Sequence, residues 1–314
     1  MKLDNRIIPI LVAAIGIYAI FLFISDYNVI TEKISNFKIN YLPLILLLVS
    51  ASWVPLIIKW HFLLKNSEIN IPLTKSIAVF FSGAAFDITP GQIGTLIKSQ
   101  LLKTSSNISR TKTVPIVIVE KIYDLIGAIL ASVIGIIILG MEFYLIIIAI
   151  SGLVVIFFFM YHKPASELFF NRITKLKFFS KYVENISEFY EIVKKSTNVK
   201  VATICILLAL TYWFMVSAAA YYTLIAFDVN ILDYLKVLAI YTTSSLLGAI
   251  SFIPGGIGVT EGSIAGLFTL NGIDVSTALI LSVMVRILTL WYSVSVGFIA
   301  LKFTGAFSSR KDFS

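Results

Sequence analysis

Pro254-Gly255-Gly256-Ile257-Gly258 interrupts one long apolar stretch of this chain, and Pro90-Gly91-Gln92-Ile93-Gly94 interrupts another, 164 residues earlier. Proline removes a backbone donor and glycine loosens the helix, so each motif breaks whatever helix surrounds it. In lipid such a break survives only where protein shields it or where it lines a cavity. Broken helices at matching places in two halves of a chain mark the binding site in many secondary transporters. The pair therefore points to a translocator.

Composition sets the class. Of 314 residues, 58% are hydrophobic and 13% charged, with a mean hydropathy of +0.95, whereas soluble domains carry about 25% charged residues. The chain reads as an all-α integral membrane protein forming a single transmembrane domain over residues 1–314. Apolar runs of about spanning length occur near 7–24, 41–64, 114–139, 143–161, 201–226 and 276–301, which predicts six full spans. Lys2 and Arg6 precede the first run as they would in a signal peptide, but Ser25-Asp26-Tyr27-Asn28 follows it in place of a small-residue cleavage site. It is read as a retained anchor.

Basic residues give the orientation. Lys98, Lys103, Arg110 and Lys112 cluster between two runs, more lie in 163–200, and Lys302 follows the last run, while 140–142, 227–233 and 270–275 hold no Lys or Arg. By the positive-inside rule the basic set and both termini are cytoplasmic, in a cell membrane. The net charge of +8 then reports topology and contact with anionic lipid at the inner face, not nucleic acid.

That alternation holds if residues 76–103 and 236–270 enter and leave on one side, as re-entrant hairpins with the Pro-Gly motifs at their tips. Two half-helices of about 13 residues reach about 20 Å, enough to approach the midplane of a core about 30 Å thick. Span, hairpin, span over about 41–139 and the same order inverted over about 201–301 would then form an inverted repeat. Full crossings at both motifs, eight in all, satisfy the basic-loop rule as well if a crossing can be as short as the segment from Gly255 to Leu270. The linker, about 162–200, carries Phe179, Tyr182, Val183, Ile186, Phe189, Tyr190 and Val193 at helical spacing and reads as an amphipathic helix on the inner surface.

Charges inside spans cost about 2.5–3.5 kcal/mol each at a helix centre, so those present need a reason. Arg286 lies about ten residues into the last span, Glu120 and Asp124 share one face of the third, and Glu261 follows the second tip by seven residues. Either Arg286 pairs with Glu120 or Asp124 to lock the halves together, or these residues line a groove that receives a lipid headgroup. Each tip adds to the second reading. A half-helix starting there aims its positive end at the midplane, and Thr89-Pro90 reads as an N-cap followed by proline at the first helical position. Such ends with Arg286 suit a phosphate, which Gly255, Gly256 and Gly258 would let the backbone approach.

Other features carry less. Lys59, His61 and Lys65 are read as snorkelling to the interface, and His162 as interfacial. Cys205, the single cysteine, reads as a buried thiol. Gly262-Ser263-Ile264-Ala265-Gly266 matches the helix-packing pattern. One Cys and two His make no metal site, and neither a phosphate-binding GxxxxGK[ST] nor a GxSxG motif is present, so no cofactor or catalytic residue is expected.

Pro90-Gly91-x-x-Gly94, Glu120-Lys121-x-x-Asp124, Pro254-Gly255-Gly256-Ile257-Gly258-Val259-x-Glu261-Gly262 and Arg286 together resemble the transmembrane flippase-like domain of lysylphosphatidylglycerol synthases and its stand-alone relatives. The resemblance covers about residues 7–302. Lys121 stands where that family often has Arg, and Thr95 where an acidic residue commonly follows the glycine. The resemblance implies movement of a lipid across the bilayer. In the two-part synthases a separate soluble domain does the aminoacyl transfer; this sequence runs to Ser314, twelve residues past Lys302, so a transporter-like protein and not an enzyme is expected. The partners implied are a phospholipid or lipid-linked headgroup, with a homodimer or transferase partner as further options. Two other classes stay open: a membrane-embedded partner of a separately encoded glycosyl- or aminoacyl-transferase, and an ion-driven solute carrier.

Overall fold

A helix of 25 residues rises about 37 Å, more than the about 30 Å of a bilayer's hydrocarbon core, and the longest helices of this protein are built on that scale. The computed structural model describes residues 15–20, 27–138, 143–162 and 186–304, with isolated positions at 164, 168 and 172. In chain order its α-helices are α1 (15–20), α2 (Tyr27–Ser35), α3 (Leu42–Asn66), α4 (Leu73–Ala84), α5 (Ile97–Ser106), α6 (Arg110–Ile138), α7 (Phe143–Tyr161), α8 (Ile186–Ser196), α9 (Val199–Ala226), α10 (Tyr234–Ile250), α11 (Val259–Leu270), α12 (Val275–Arg286) and α13 (Tyr292–Phe303). Among the described residues every regular element is helical. Three continuous stretches, Ile39–Asn66, Val199–Ala226 and Val275–Phe303, are long and apolar enough to cross a membrane.

The helices at the predicted 41–64, 114–139, 143–161, 201–226 and 276–301 fall where hydropathy puts them. Most of the first expected span, 7–24, lies outside the described residues, as do Phe179, Tyr182 and Val183 of the linker. The described part of that linker, α8, lays Phe189, Ile192 and Val193 into the core cluster beside α3 and α6. Its apolar stripe is thus covered by protein, and Tyr123 of α6 donates to the Ser196 carbonyl at its end, 2.7 Å away.

Packing partners are exchanged between the halves. Helix α3 runs against α9, α4 against α13, and α10 against α6, and the two Pro-Gly segments touch one another. Lipid tails offer no hydrophobic gain on helix association, so small residues that let backbones close up do the work. A Cβ on Gly297 would overlap the backbone of Ala85, and one on Gly127 would sit 2.7 Å from the Ala209 Cβ. Gly262 and Gly266, the pair matching the packing pattern, instead have nothing within 4 Å of a Cβ position. Among the described residues these two glycines meet no other helix. Gly297→Leu is therefore expected to push α13 off α4 and lower stability by about 3 kcal/mol, the upper range for overpacking, whereas Gly262→Leu leaves the unfolding midpoint unchanged. Thermal unfolding in detergent reads both.

The apolar interior forms two clusters. One gathers α3, α6, α8 and α13 residues, Trp53, Trp60, Tyr123 and Leu301 among them; the other gathers α9, α10, α11 and α12 around Leu224, Ile240, Phe268 and Leu281.

Candidate functional site

Both breaks are real interruptions, but they differ in detail. At the second, Phe252 turns to φ 55°, a single 3-10 turn covers Pro254–Gly256, Ile257 is extended, and Gly258 sits at φ 85° before α11 begins at Val259. Gly255, Gly256 and Gly258 all have positive φ, a region that side chains with a Cβ enter only with strain. At the first, Thr89 is extended and the 3-10 helix Pro90–Leu96 carries Gly91 and Gln92 in the left-handed region, so that α5 starts only at Ile97. The expected start of an α-helix at Pro90 is thus displaced by two turns. Thr89 makes no capping bond to the first turn of the 3-10 helix; its Oγ1 instead accepts the Gly94 N–H, five residues on, at 2.8 Å.

The start of α11 is already occupied by a carboxylate of the protein itself. Glu261 Oε2 accepts the Gly258 N–H at 2.8 Å, so the acidic side chain satisfies the helix end and its dipole. Its Oε1 accepts Arg286 Nε at 2.8 Å and the Tyr18 hydroxyl at 2.9 Å. A terminal nitrogen of Arg286 donates to the Gly255 carbonyl at the tip, and Trp291 Nε1 donates to the Tyr18 oxygen at 2.8 Å. Arg286 ends α12 where the chain widens into a π-helical turn, Ile287–Trp291, a local defect often found at functional sites. The pair expected between Arg286 and Glu120 or Asp124 does not form. Arg286 reaches Glu261 because both sit beside the same tip, while Glu120 and Asp124 have nearer cations.

Those cations are lysines that the basic-loop reading placed elsewhere. Lys98 Nζ meets both Glu120 oxygens, at 2.9 and 2.8 Å, and lies 4.7 Å above the Trp60 ring and 4.9 Å above that of Phe80. Lys59 is fully buried and pairs with Asp124, and Lys121 reaches Asp87 at 3.1 Å. Hence Lys98 is an interior residue and not a member of the basic loop cluster expected from sequence, and Lys59 does not snorkel. A lysine on the inner face of its helix lowers its cost by finding a carboxylate across the interface.

Two of these pairs follow the tips at similar spacing with opposite sign. Lys98 follows Gly94 by four residues and pairs with Glu120, 22 residues on; Glu261 follows Gly258 by three and pairs with Arg286, 25 residues on. In one half the helix after the tip supplies the cation, in the other the anion. Thr95, standing where an acid was expected, donates its hydroxyl to the Gln92 carbonyl at 2.7 Å.

Accessibility divides the set. Side chains of Lys59, Lys98, Glu120 and Glu261 are at most 3% exposed and that of Arg286 is 8%, whereas Asp87, Lys121 and Asp124 are 23%, 28% and 22% exposed. The reachable polar surface is therefore Asp87, Lys121 and Asp124 beside the first tip. Trp213 Nε1 holds the Asp124 backbone carbonyl at 3.2 Å, with Tyr212 and Tyr241 packed around that indole. The tips touch: Phe252 lies against Gly91, and Ile88 against Gly255. Of the residues named from sequence, Glu120, Asp124, Glu261, Arg286 and the glycines and prolines of both tips all belong to this region. Asp87, Lys59, Lys98, Tyr18 and Trp291 were missed. The signal for Lys98 was its position after Gly94, which mirrors that of Glu261 after Gly258; Asp87, three residues before Pro90, carried no signal by itself. Cys205 is buried beneath α3 and α6, and His162 stacks on Phe158 at an exposed helix end. Among the described residues no three His, Cys, Asp or Glu side chains converge as a metal ion would need.

A family model described as the lysylphosphatidylglycerol synthase TM region matches residues 9–297. Among similar proteins, the UPF0104 membrane protein PH1989 of Pyrococcus horikoshii is 24% identical over 287 residues, 82% of this chain and 85% of that protein. The UPF0104 membrane protein MJ1078 of Methanocaldococcus jannaschii is 26% identical over 219 residues, 67% of this chain and 89% of its own length. A UPF0104 membrane protein of Methanothermobacter thermautotrophicus is 32% identical over 91 residues, 29% of this chain and 27% of that protein.

Proposed function

Because this chain belongs to the family of the lysylphosphatidylglycerol synthase transmembrane region, we propose that it translocates a lipid or lipid-linked headgroup between the leaflets of the cell membrane. The observation that carries this reading is the meeting of the two helix breaks beside a partly exposed Asp87–Lys121–Asp124 surface. Ionisable groups within the spans of a membrane protein commonly mark a path for something polar. Six spans, two opposed re-entrant segments and cytoplasmic termini complete the proposal. The exchanged packing partners and the sign-inverted ion pairs support an inverted repeat, because two halves related by a two-fold axis in the membrane plane would make the same contacts twice.

In this scheme a headgroup carrying both an anion and a cation replaces contacts that the protein makes with itself. Lys121 would turn from Asp87 to a phosphate, and Asp87 or Asp124 would receive an ammonium group. An ion pair that opens only to accept its equivalent leaves no uncompensated charge in a low-dielectric site. The helix ends contribute differently: Glu261 fills the start of α11, so a phosphate reaches the Gly255–Gly258 backbone only if Glu261 and Arg286 move.

Leaflet exchange of fluorescent anionic, zwitterionic and amino-acid-modified lipids in liposomes tests this. Intact protein is expected to accelerate exchange of at least one headgroup over empty vesicles. Asp87→Asn/Lys121→Gln, which removes both partners and orphans neither, should slow it about tenfold or more, the loss of one charge-assisted contact of about 1.5–3 kcal/mol. Folded protein that moves none of the lipids would overturn the assignment, and unchanged exchange in the double variant would remove this surface from the path.

A further inference from the structure

A second polar-ended feature lies on the opposite face of α3 from the ion pairs. Val54, Ile57, Ile58, His61, Phe62 and Lys65 recur at three- and four-residue steps and form one stripe, while Lys59 and Trp60 point inward and are fully buried. With Leu73 and Ile77 of α4 that stripe walls a groove of about 510 Å³. Its floor is apolar along Val54, Ile58 and Phe62, and Val54, Ile58 and Leu73 are each half exposed. The polar residues are confined to one end, near the last turn of α3 and the first of α4.

We infer that this groove seats one acyl chain of an anionic phospholipid, with the phosphate held at Lys65 and His61. Length is the first argument. From Val54 to Lys65 the helix rises about 16 Å, close to half of a hydrocarbon core about 30 Å thick, so the groove runs from near the midplane to the interface as a single leaflet's chain does. Charge is the second. Among the described residues no carboxylate pairs with Lys65, whose side chain is exposed, although the interior lysines all have one. A cation without a protein counter-ion at headgroup depth is complementary to a lipid phosphate. A second protein copy would need a carboxylate at the same end and an apolar ridge narrow enough for the groove; a lipid supplies phosphate and chain in one molecule. The site is separate from the Asp87–Lys121–Asp124 surface, and occupancy does not depend on translocation.

Native mass spectrometry of the purified full chain, titrated with phosphatidylglycerol or phosphatidylcholine of identical acyl chains, tests the inference. Phosphatidylglycerol is expected to be retained about fivefold more tightly, because its headgroup is net anionic whereas the choline cation offsets the phosphate charge, and about 1 kcal/mol of attraction per lysine is then lost. His61→Gln/Lys65→Gln should erase that preference while both lipids still bind. Ile58→Trp fills the groove and should lower retention of both about tenfold; Val54→Trp is the substitute if the first variant has a lowered unfolding midpoint. Equal retention of the two lipids by intact protein overturns the inference, as does binding that both tryptophan variants leave unchanged. A dimer mass that Ile58→Trp abolishes would assign the groove to a second copy and overturn it equally.

Discussion

Arg286→Ala is expected to stop lipid exchange and also to lower stability by about 3–5 kcal/mol, the cost of leaving one member of a buried pair uncompensated. The two losses have different causes and can be separated. Without the guanidinium, Glu261 keeps the Gly258 N–H and the Tyr18 hydroxyl, but its charge has no counter-ion in a site with no exposed surface. Glu261→Gln/Arg286→Ala removes that charge while the amide oxygen still accepts the Gly258 N–H and the amide NH2 turns to the Tyr18 oxygen as a donor, so most of the stability should return. Exchange measured beside thermal unfolding then decides the role of the pair. Recovery of stability alone means that the charges serve the transported headgroup; recovery of both means that they only hold α11 to α12.

Lys98→Met should be nearly as damaging. Methionine preserves the apolar stem that fits against Gly83 and between Trp60 and Phe80, but it strips Glu120 of both hydrogen bonds and its counter-charge where neither side chain is more than 3% exposed. A loss of about 3–5 kcal/mol is expected, largely restored in Lys98→Met/Glu120→Gln. Lys195→Ala is the control. It breaks the Lys195–Glu68 pair, in which both side chains are more than half exposed, and should not move the unfolding midpoint because water and salt screen such a pair. A Lys98→Met midpoint equal to that of Lys195→Ala would show that Lys98 is not in the low-dielectric interior. If the sign-inverted pairs are equivalent, the two neutralised double variants should also respond alike in the exchange assay.

The residues with strong local signatures were legible in advance. Long apolar runs allow few alternatives to a helix, since every backbone group in lipid must be bonded within its own segment, and α3, α6, α7, α9 and the stretch from α12 to α13 fall on them. The Pro-Gly motifs break those helices for reasons internal to the motif, namely a missing donor at Pro90 and Pro254 and the positive φ of Gly91, Gly255, Gly256 and Gly258. Less legible were the turns after the first tip. Nothing in Gln92-Ile93-Gly94-Thr95 distinguishes a 3-10 helix from an α-helix, and Gly91 and Gln92 enter the left-handed region before α5 begins.

Sequence by itself determined the class of the protein, the place of both breaks and the short list of interior charges, because hydropathy, proline and glycine act through the chain's own backbone. Tertiary structure alone decided which charge neutralises which. A lysine reads the same at the cytoplasmic end of a helix as on its inner face, and only the packing of α5 and α3 against α6 converts Lys98 and Lys59 from loop or interface residues into the partners of Glu120 and Asp124. Pairing of this kind is a property of distances between segments far apart in sequence, and a Coulombic interaction has no local signature from which it could be read.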